Sequence, residues 1–362
     1  MDNRKNNIAI ISNSLGIGGA EKFASLLSFI LTNLGYEIHN IIIEDSIKYK
    51  VSGKVLNLGI EIKNEFGIYR KLKKGIRINN YLKNNNISII IDNRSRPNLT
   101  RELFAKFIYR NSKTIYLIHL SKLEVYLSKP TFLSRMIFKS ASKIVCVSKS
   151  IEEQVFFKYN LKNSTTIYNP MPIDSNETMK IEELPENFFI YFGRLNEQQK
   201  NLTLMLESFS ISRIYEKDFY LILIGEGESK ALLQKKIEDL KLTKYILIKS
   251  FSENVLSYVK KARASVISSN YEGFPMSIIE SLSIGIPVIS VDCPTGPKEI
   301  IIDNKNGLLV EMNNKDALSK AFNTFAFDEL VYQNCKSNTK KSVEHLSVDN
   351  ISKQWKNLIN SI

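Results

Sequence analysis

A chain of 362 residues with 43% apolar content can build two hydrophobic cores, so two globular domains are expected. Cys146, Cys293 and Cys335 are widely spaced with no Cys-x-x-Cys, and His39, His119 and His345 are scattered, which argues against a disulfide scaffold and a zinc site. The formal charge of +13 is placed entirely in the first half, where 27 Lys and Arg stand against 12 Asp and Glu up to Pro170. No window approaches 18 apolar residues, and the run 8–11 behind Arg4 and Lys5 is too short for a signal segment, so a reducing cytoplasm is expected, with any membrane contact at the surface.

In chain order, residues 7–12 read as a short apolar strand, followed by the glycine-rich turn Gly16-Ile-Gly-Gly-Ala-Glu21. Phe23, Leu26, Leu27, Ile30, Leu31 and Leu34 then recur at helical spacing until Gly35, and 36–43 is the next strand. This series opens a doubly wound α/β domain, whose parallel sheet the runs 87–91, 114–118 and 143–147 extend. The turn is not a dinucleotide fingerprint, because Glu21 occupies the third glycine position and would repel a pyrophosphate; the Gly-Lys-Ser/Thr of a P-loop is also missing. Gly18 and Gly19 therefore either bring backbone close to a ligand or simply make the turn. His119 closes the strand 114–118 at its carboxyl end, where α/β sites form. There it can donate to a hydroxyl or phosphate and titrate near neutrality, or serve as a structural residue.

The basic excess is interleaved with large apolar side chains. Arg70, Lys71, Lys73, Lys74 and Arg77 alternate with Phe66, Ile68, Tyr69, Leu72, Ile76 and Ile78, and a further cluster runs from Arg101 through Lys106, Arg110 and Lys129 to Lys139. Such mixing suits an anionic membrane surface or a phosphate-bearing acceptor; nucleic acid and a merely solvated basic face are the other readings.

Residues 167–173 carry two prolines and, with the polar span to Glu186, read as a linker. The alternation then restarts, with strands at 188–192, 219–224, 245–248, 264–267 and 287–291 and helices at 201–210, 230–240 and 253–261. Arg194 follows the first of these strands and Lys200 precedes the first helix, so a guanidinium and an ammonium stand where a diphosphate can be held, although either alone is equally an ordinary surface cation. Gly225-Glu-Gly227 is another strand-end turn, again without a third glycine, since Lys230 stands there.

The stretch 268–285 reads as tight loop and helix after the strand 264–267, with Pro275 in the first helical turn and Gly285 at the far end. Its free N–H groups, roughly Met276 to Ile278, would point at the strand's carboxyl end, where a phosphate or sugar oxygen is stabilised. Glu272 ahead of the helix and Glu280 inside it either face one ligand, each able to accept two hydrogen bonds from a vicinal diol, or are surface glutamates of an amphipathic helix.

Taken together, Gly18-Gly19-Ala-Glu21, Tyr191-Phe-Gly-Arg194 with Lys200-Asn201, Ile224-Gly-Glu-Gly227, Glu272-Gly-Phe-Pro-Met-Ser-Ile-Ile-Glu280, Gly285-Ile-Pro-Val288 and Gly307-Leu-Leu-Val310 resemble the retaining glycosyltransferases of family four. The likeness is dense from 188 to 310 and touches the first half only at its glycine turn, His119 and Ser148. It implies the GT-B fold, α/β with two doubly wound Rossmann-like domains facing across a cleft. Residues 1–172 would be the acceptor-binding domain, with the helix 349–362 returning to it, and 173–348 the nucleotide-sugar-binding domain. Hinges near Ile173 and Asp349 would let the two close on a substrate.

The same resemblance assigns the nucleotide ribose to Glu280, the transferred sugar and phosphates to Glu272 and the backbone of Gly273, Phe274, Pro275, Met276 and Ser277, and the diphosphate to Arg194 and Lys200. Ser250 and Asn254 would lie near the base, although Ser250-Phe251 stands where many members have glycine; His119 would lie by the reacting sugar, and Gly18 and Gly19 would be among the donor-binding residues. The implied reaction is metal-independent, retaining transfer of a hexose or N-acetylhexosamine from a UDP sugar to a glycan or lipid-linked acceptor of a bacterial surface polysaccharide. No cofactor, metal or nucleic acid partner is expected. No Asp-x-Asp occurs in the sequence, so protein cations would take the place of a metal clamp. The rival expectations are a nucleotide-sugar-binding protein without turnover, or a sugar-nucleotide epimerase or phosphorylase of the same architecture.

Overall fold

The structure, a computed structural model, describes residues 7–63, 65–172 and 182–362; the basic start at Arg4 and Lys5 and the hinge expected at Ile173 lie outside them. The chain divides into two compact units, Met1–Pro170 with Val348–Ile362, and Met171–Ser347.

Unit 1 alternates strands and helices: β1 (Asn7–Ser12), α1 (Gly19–Asn33), β2 (Glu37–Ile42), β3 (Lys54–Asn57), α2 (Leu58–Glu61), α3 (Gly67–Asn84), β4 (Ile89–Asp92), α4 (Leu99–Ile108), β5 (Lys113–Ile118), α5 (Thr131–Phe138), β6 (Lys143–Cys146), α6 (Lys149–Tyr159) and β7 (Ser164–Thr166). All seven strands pair parallel in the order β3-β2-β1-β4-β5-β6-β7. Alternate side chains of β1 serve opposite faces, as a strand's period of two requires: Ile8 and Ile10 join Phe23 and Leu27 of α1, while Ala9 and Ile11 join Ile78 and Leu82 of α3. The strand order reverses direction between β1 and β4, and the polar residues Ser12 and Asp92 end these two strands. That switch point is where an open parallel sheet leaves a crevice for a ligand.

Unit 2 repeats the plan with β8 (Asn187–Phe192), α7 (Glu197–Lys200), α8 (Leu202–Ser212), β9 (Phe219–Ile224), α9 (Lys230–Asp239), β10 (Ile246–Lys249), α10 (Val255–Val259), β11 (Ala264–Ile267), α11 (Met276–Ser283), β12 (Val288–Val291), α12 (Pro297–Ile300), β13 (Gly307–Val310), α13 (Lys315–Phe327) and α14 (Glu329–Val343). Its six parallel strands run β10-β9-β8-β11-β12-β13, so the switch point falls between β8 and β11. Phe189, Phe209 and Phe322 form edge-to-face pairs at the centre of the larger core.

The last helix, α15 (Val348–Ser361), belongs to unit 1, where its stripe of Ile351, Trp355, Leu358 and Ile359 shares a core with α1. Trp355 is fully buried, its ring 6.4 Å from that of Phe23. Among the described residues no helix is long and apolar enough to cross a membrane.

Three features depart from the sequence reading. The edge strands β3 and β7 were not foreseen, since one begins with two exposed residues and the other is three polar residues long; short, polar edges are how sheets avoid open-ended pairing. The basic stretch 69–77 lies inside the 18-residue α3, which buries only Gly75, Ile78 and Leu82. Pro275 stands one residue before α11 with ψ at 114°, so Met276 is the first helical residue: the proline ring fixes φ alone, and its carbonyl accepts from Ile278 N–H at 3.1 Å while the peptide is still extended.

Candidate active site

In unit 2 the site begins where β8 ends. Gly193 N–H donates to the Ile224 carbonyl at 3.0 Å and Leu195 N–H to the Glu226 carbonyl at 2.9 Å, so the loop after β8 runs backbone to backbone along the turn after β9. A Cβ at Gly225 would stand 1.8 Å from the Gly193 oxygen, and one at Gly227 2.2 Å from that of Leu195. Strand-loop packing therefore requires glycine at both positions. Arg194 is exposed on this loop, its carbonyl accepting from Tyr191 Oη at 2.7 Å.

The loop leads into α7, capped by the Asn196 side chain, which accepts from Gln199 N–H at 2.7 Å. Lys200 closes that turn before Asn201 takes a left-handed φ of 47°. Lys200 Nζ is 2.6 Å from Glu272 Oε1, and the same oxygen accepts from Ser269 Oγ at 2.6 Å. The backbones are joined too: Asn270 N–H donates to the Gln199 carbonyl at 2.8 Å, and Ser268 Oγ to that of Lys200 at 2.9 Å. The ends of β8 and β11 are thus sewn together across the switch point, with one ammonium and one carboxylate at the seam. The Lys200 side chain keeps 18% exposure and that of Glu272 only 7%.

A third loop supports the seam. Thr295 Oγ1 donates to the Glu272 carbonyl at 2.5 Å, and Gly296, at φ 94°, sits so close that a Cβ would be 2.7 Å from both the Gly273 oxygen and Pro275 Cδ. Sequence reasoning gave Thr295 and Gly296 no role of their own; the signal was the Pro-Thr-Gly-Pro punctuation at 294–297.

The remaining residues expected at the donor site lie along the same carboxyl edge. Gly273, Phe274, Pro275 and Met276 are buried, and Ser277 is partly open in the first turn of α11. The Ile278 N–H is taken by Pro275, which narrows the expected free N–H groups to Met276 and Ser277. Glu280 is buried on α11. Ser250 is exposed just beyond β10, and Asn254 precedes α10, its Oδ1 accepting from Ser257 Oγ at 2.8 Å. Glu272 and Glu280 are therefore both buried and not surface residues of an amphipathic helix, and Lys200 is ion-paired, not an open surface cation.

In unit 1, Gly18 leads α1 with extended backbone, and its carbonyl accepts from Lys22 N–H at 2.9 Å. A Cβ on Gly19 would meet nothing within 4 Å, so that position faces open space and no packing demands a glycine there. His119, one residue past β5, is 7% exposed, with Nε2 2.6 Å from Asn93 Oδ1 and its ring edge-on to Phe23 at 5.1 Å. Burial, aided by the positive charge of Arg96, pushes its pKa down to about 3. The expectation that His119 titrates near neutrality is thus overturned: a largely buried ring beside a guanidinium stays neutral. Ser148 is the side-chain cap of α6, accepting from Ile151 N–H at 3.4 Å.

What the sequence reading missed is the buried charge beside His119. After β4, Asp92 accepts from Arg94 Nε at 2.9 Å and Nη2 at 2.6 Å, and Tyr109 Oη donates to the same carboxylate at 3.2 Å. Burial alone would raise the Asp92 pKa, but Arg94 and Arg96 outweigh it and hold the carboxyl below its usual range. Arg96, fully buried, donates to the carbonyls of Asp92 at 3.1 Å, Arg94 at 2.7 Å and Leu117 at 2.8 Å, under the rings of Tyr116 and Tyr126. The signal was present in Asp92-Asn-Arg-Ser-Arg96, alternating charges directly after an apolar strand.

Two parallel doubly wound sheets, each with its polar groups gathered at the strand ends flanking its switch point, are the architecture of the GT-B fold. The family model of the glycosyl transferases group 1 matches residues 174–342, all of them within unit 2. It is 25% identical over 355 residues to the amylovoran biosynthesis glycosyltransferase AmsD of Erwinia amylovora, covering 97% of each chain. It is likewise 25% identical over 347 residues, 92% of this chain and 93% of the other, to the N-acetylgalactosamine-N,N'-diacetylbacillosaminyl-diphospho-undecaprenol 4-alpha-N-acetylgalactosaminyltransferase of Campylobacter jejuni. Among solved structures, Anabaena Alr3699/HepE in complex with UDP-glucose aligns over 98% of this chain and all of its own with a TM-score of 0.78 at 17% identity, a likeness of fold.

Proposed function

We propose that this glycosyltransferase is a retaining hexosyl- or N-acetylhexosaminyltransferase that takes its sugar from a UDP-linked donor and delivers it to a hydroxyl of a glycan or lipid-linked acceptor in bacterial surface polysaccharide synthesis, without a metal or other cofactor. The observation that carries this reading is the Lys200–Glu272 pair, 2.6 Å apart, at the seam between the ends of β8 and β11. A cation held by a buried carboxylate and still partly open to water is suited to a diphosphate.

In this reading Glu280 takes the ribose, Ser250 and Asn254 lie by the base, and Lys200, Arg194 and the Met276 and Ser277 N–H groups stabilise the charge that grows on the β-phosphate as its bond to the anomeric carbon breaks. The diphosphate shares the Lys200 ammonium with Glu272, whose second carboxylate oxygen then accepts from a hydroxyl of the transferred sugar. The acceptor hydroxyl enters on the face from which the nucleotide leaves, preserving configuration. Unit 1, with Gly18, Gly19 and His119, serves the acceptor and the reacting sugar. The metal-free assignment rests on these cations and on the absence of Asp-x-Asp from the sequence. The choice of donor and acceptor is supported by the UDP-glucose named with the Anabaena structure and the diphospho-undecaprenol named for the Campylobacter relative.

The test is transfer from a panel of UDP-hexoses and UDP-N-acetylhexosamines to a lipid-diphosphate-linked saccharide in excess chelator. Product of retained anomeric configuration at an undiminished rate is expected; an inverted product, or activity that returns only with magnesium, refutes the assignment. UDP binding without transfer or hydrolysis would instead favour a binding protein.

We further read unit 1 as the part that meets the inner face of the membrane. On α3, Ile68, Leu72 and Ile76 recur at helical spacing on an exposed stripe beside Lys71 and Lys73, and Phe107 of α4 and Met136 of α5 are exposed as well. Binding to vesicles of anionic lipid should weaken steeply with salt, and salt-independent binding would end this reading.

A further inference from the structure

The orientation of His119 is set by a side chain that no motif singled out. Asn93, buried just past β4, has three polar neighbours: the Ala20 carbonyl at 3.1 Å and Ser12 Oγ at 3.3 Å on its Nδ2 side, and His119 Nε2 at 2.6 Å on its Oδ1 side. A carbonyl can only accept, so the nitrogen of the Asn93 amide must face Ala20 and its oxygen must face His119. The imidazole is therefore the donor in that short bond, and Nε2 carries the proton. We propose that Asn93 is a positioning residue that holds His119 as the neutral Nε2–H tautomer, so that Nδ1 is offered as a hydrogen-bond acceptor to a hydroxyl of the saccharide substrate.

The surroundings reinforce one protonation state. Arg96 is the charged group facing the ring from the loop after β4, its guanidinium fixed by three carbonyls that include Leu117, two residues before His119. Tyr126 faces the ring from the turn beyond β5 with centroids 6.5 Å apart, and α1 contributes the apolar edge of Phe23. The Asp92 carboxylate, the nearby anion of this loop, is engaged by Arg94. A second proton on the ring would stand against Arg96 with no anion to offset it. His119 thus neither donates a proton to phosphate nor forms an ion pair with it; it accepts. That it touches a saccharide at all rests on the function proposed above, whereas the tautomer rests on the hydrogen bonds alone.

The experiment is a nitrogen NMR titration of the full chain labelled with 15N-histidine, assigned with His119→Gln, alongside steady-state kinetics of two variants. In the wild type, His119 should show a protonated Nε2 and a bare Nδ1 from neutrality down to the lowest pH at which the fold persists. A protonated Nδ1 at neutral pH overturns the proposal. Asn93→Leu removes the acceptor and should lower kcat on the order of 10²-fold while UDP affinity by calorimetry is unchanged. Wild-type turnover in Asn93→Leu also overturns it. Asn93→Asp still accepts from Nε2–H but adds the missing anion, so kcat/KM should acquire an acidic limb, low at pH 6 and recovering as the pH rises; a profile superimposable on the wild type counts against the proposal even if Asn93→Leu fails to fold. If the wild type itself transfers no sugar, the activity reading fails, and the nitrogen spectrum still decides the tautomer.

Discussion

The corner around His119 and the corner around Lys200 both lie at strand ends near a switch point, yet they treat charge in opposite ways. In unit 1, Asp92, Arg94 and Arg96 are buried and bonded to one another and to backbone carbonyls. In unit 2, Arg194 is exposed and the Lys200 ammonium keeps partial access to water. A buried charge held by several bonds is costly to disturb and so fixes geometry; a half-solvated one can exchange water for ligand at little cost. The first corner orients a neutral ring, and the second receives an anion.

The contrast breaks most visibly at Lys200. Lys200→Ala should reduce kcat by about 10²–10³-fold, the effect of removing one donor to a developing anion, whereas Glu280→Ala should chiefly weaken UDP binding by about tenfold or more in calorimetry. Unaltered kinetics in both variants would defeat the assignment. Two glycines sharpen the contrast next. Gly225→Ala drives a Cβ into the Gly193 carbonyl and should cost about 1–3 kcal/mol in urea unfolding, while Gly19→Ala, with nothing within 4 Å, should keep the wild-type Tm and lose only substrate affinity. A drop in Tm for Gly19→Ala would show that the turn, and not a ligand, requires glycine there.

A pH dependence in unit 1 offers a further test of the first corner. Because burial holds the folded His119 pKa at about 3, below its ordinary 6.5, the unfolded ring binds a proton that the folded ring refuses. The contribution of this residue is therefore complete above pH 6.5 and is lost as the pH falls toward 3, at no more than about 1.4 kcal/mol per pH unit. Urea midpoints followed across that window should slope less in His119→Gln than in the wild type.

Much of this was legible in the sequence, for physical reasons. Buried parallel strands such as 219–224 and 264–267 announce themselves as apolar runs, and Lys200 and Glu272, two of the residues that the resemblance marks, touch at the ends of β8 and β11. Other features needed coordinates. Gly225 and Gly227 read in one dimension only as a strand-end turn, and it is the neighbouring loop that shows the Gly193 and Leu195 carbonyls occupying the space a side chain would take. Asn93 carries no signature because its role depends on Ala20 and His119, 73 and 26 residues away. The Lys200–Glu272 contact spans 72 positions and was expected only as two separate ligand contacts.

The placement of α15 has a consequence for biosynthesis. Unit 2 is a continuous segment, whereas unit 1 leaves off at Pro170 and is completed only by Val348–Ile362. A ribosome therefore finishes all of unit 2 before it supplies Trp355, and the first half must wait with the floor of its core uncovered while the later half is free to fold. A nonsense codon shortly before residue 348 would spare the sequence of both sheets and still leave the earlier of the two incomplete.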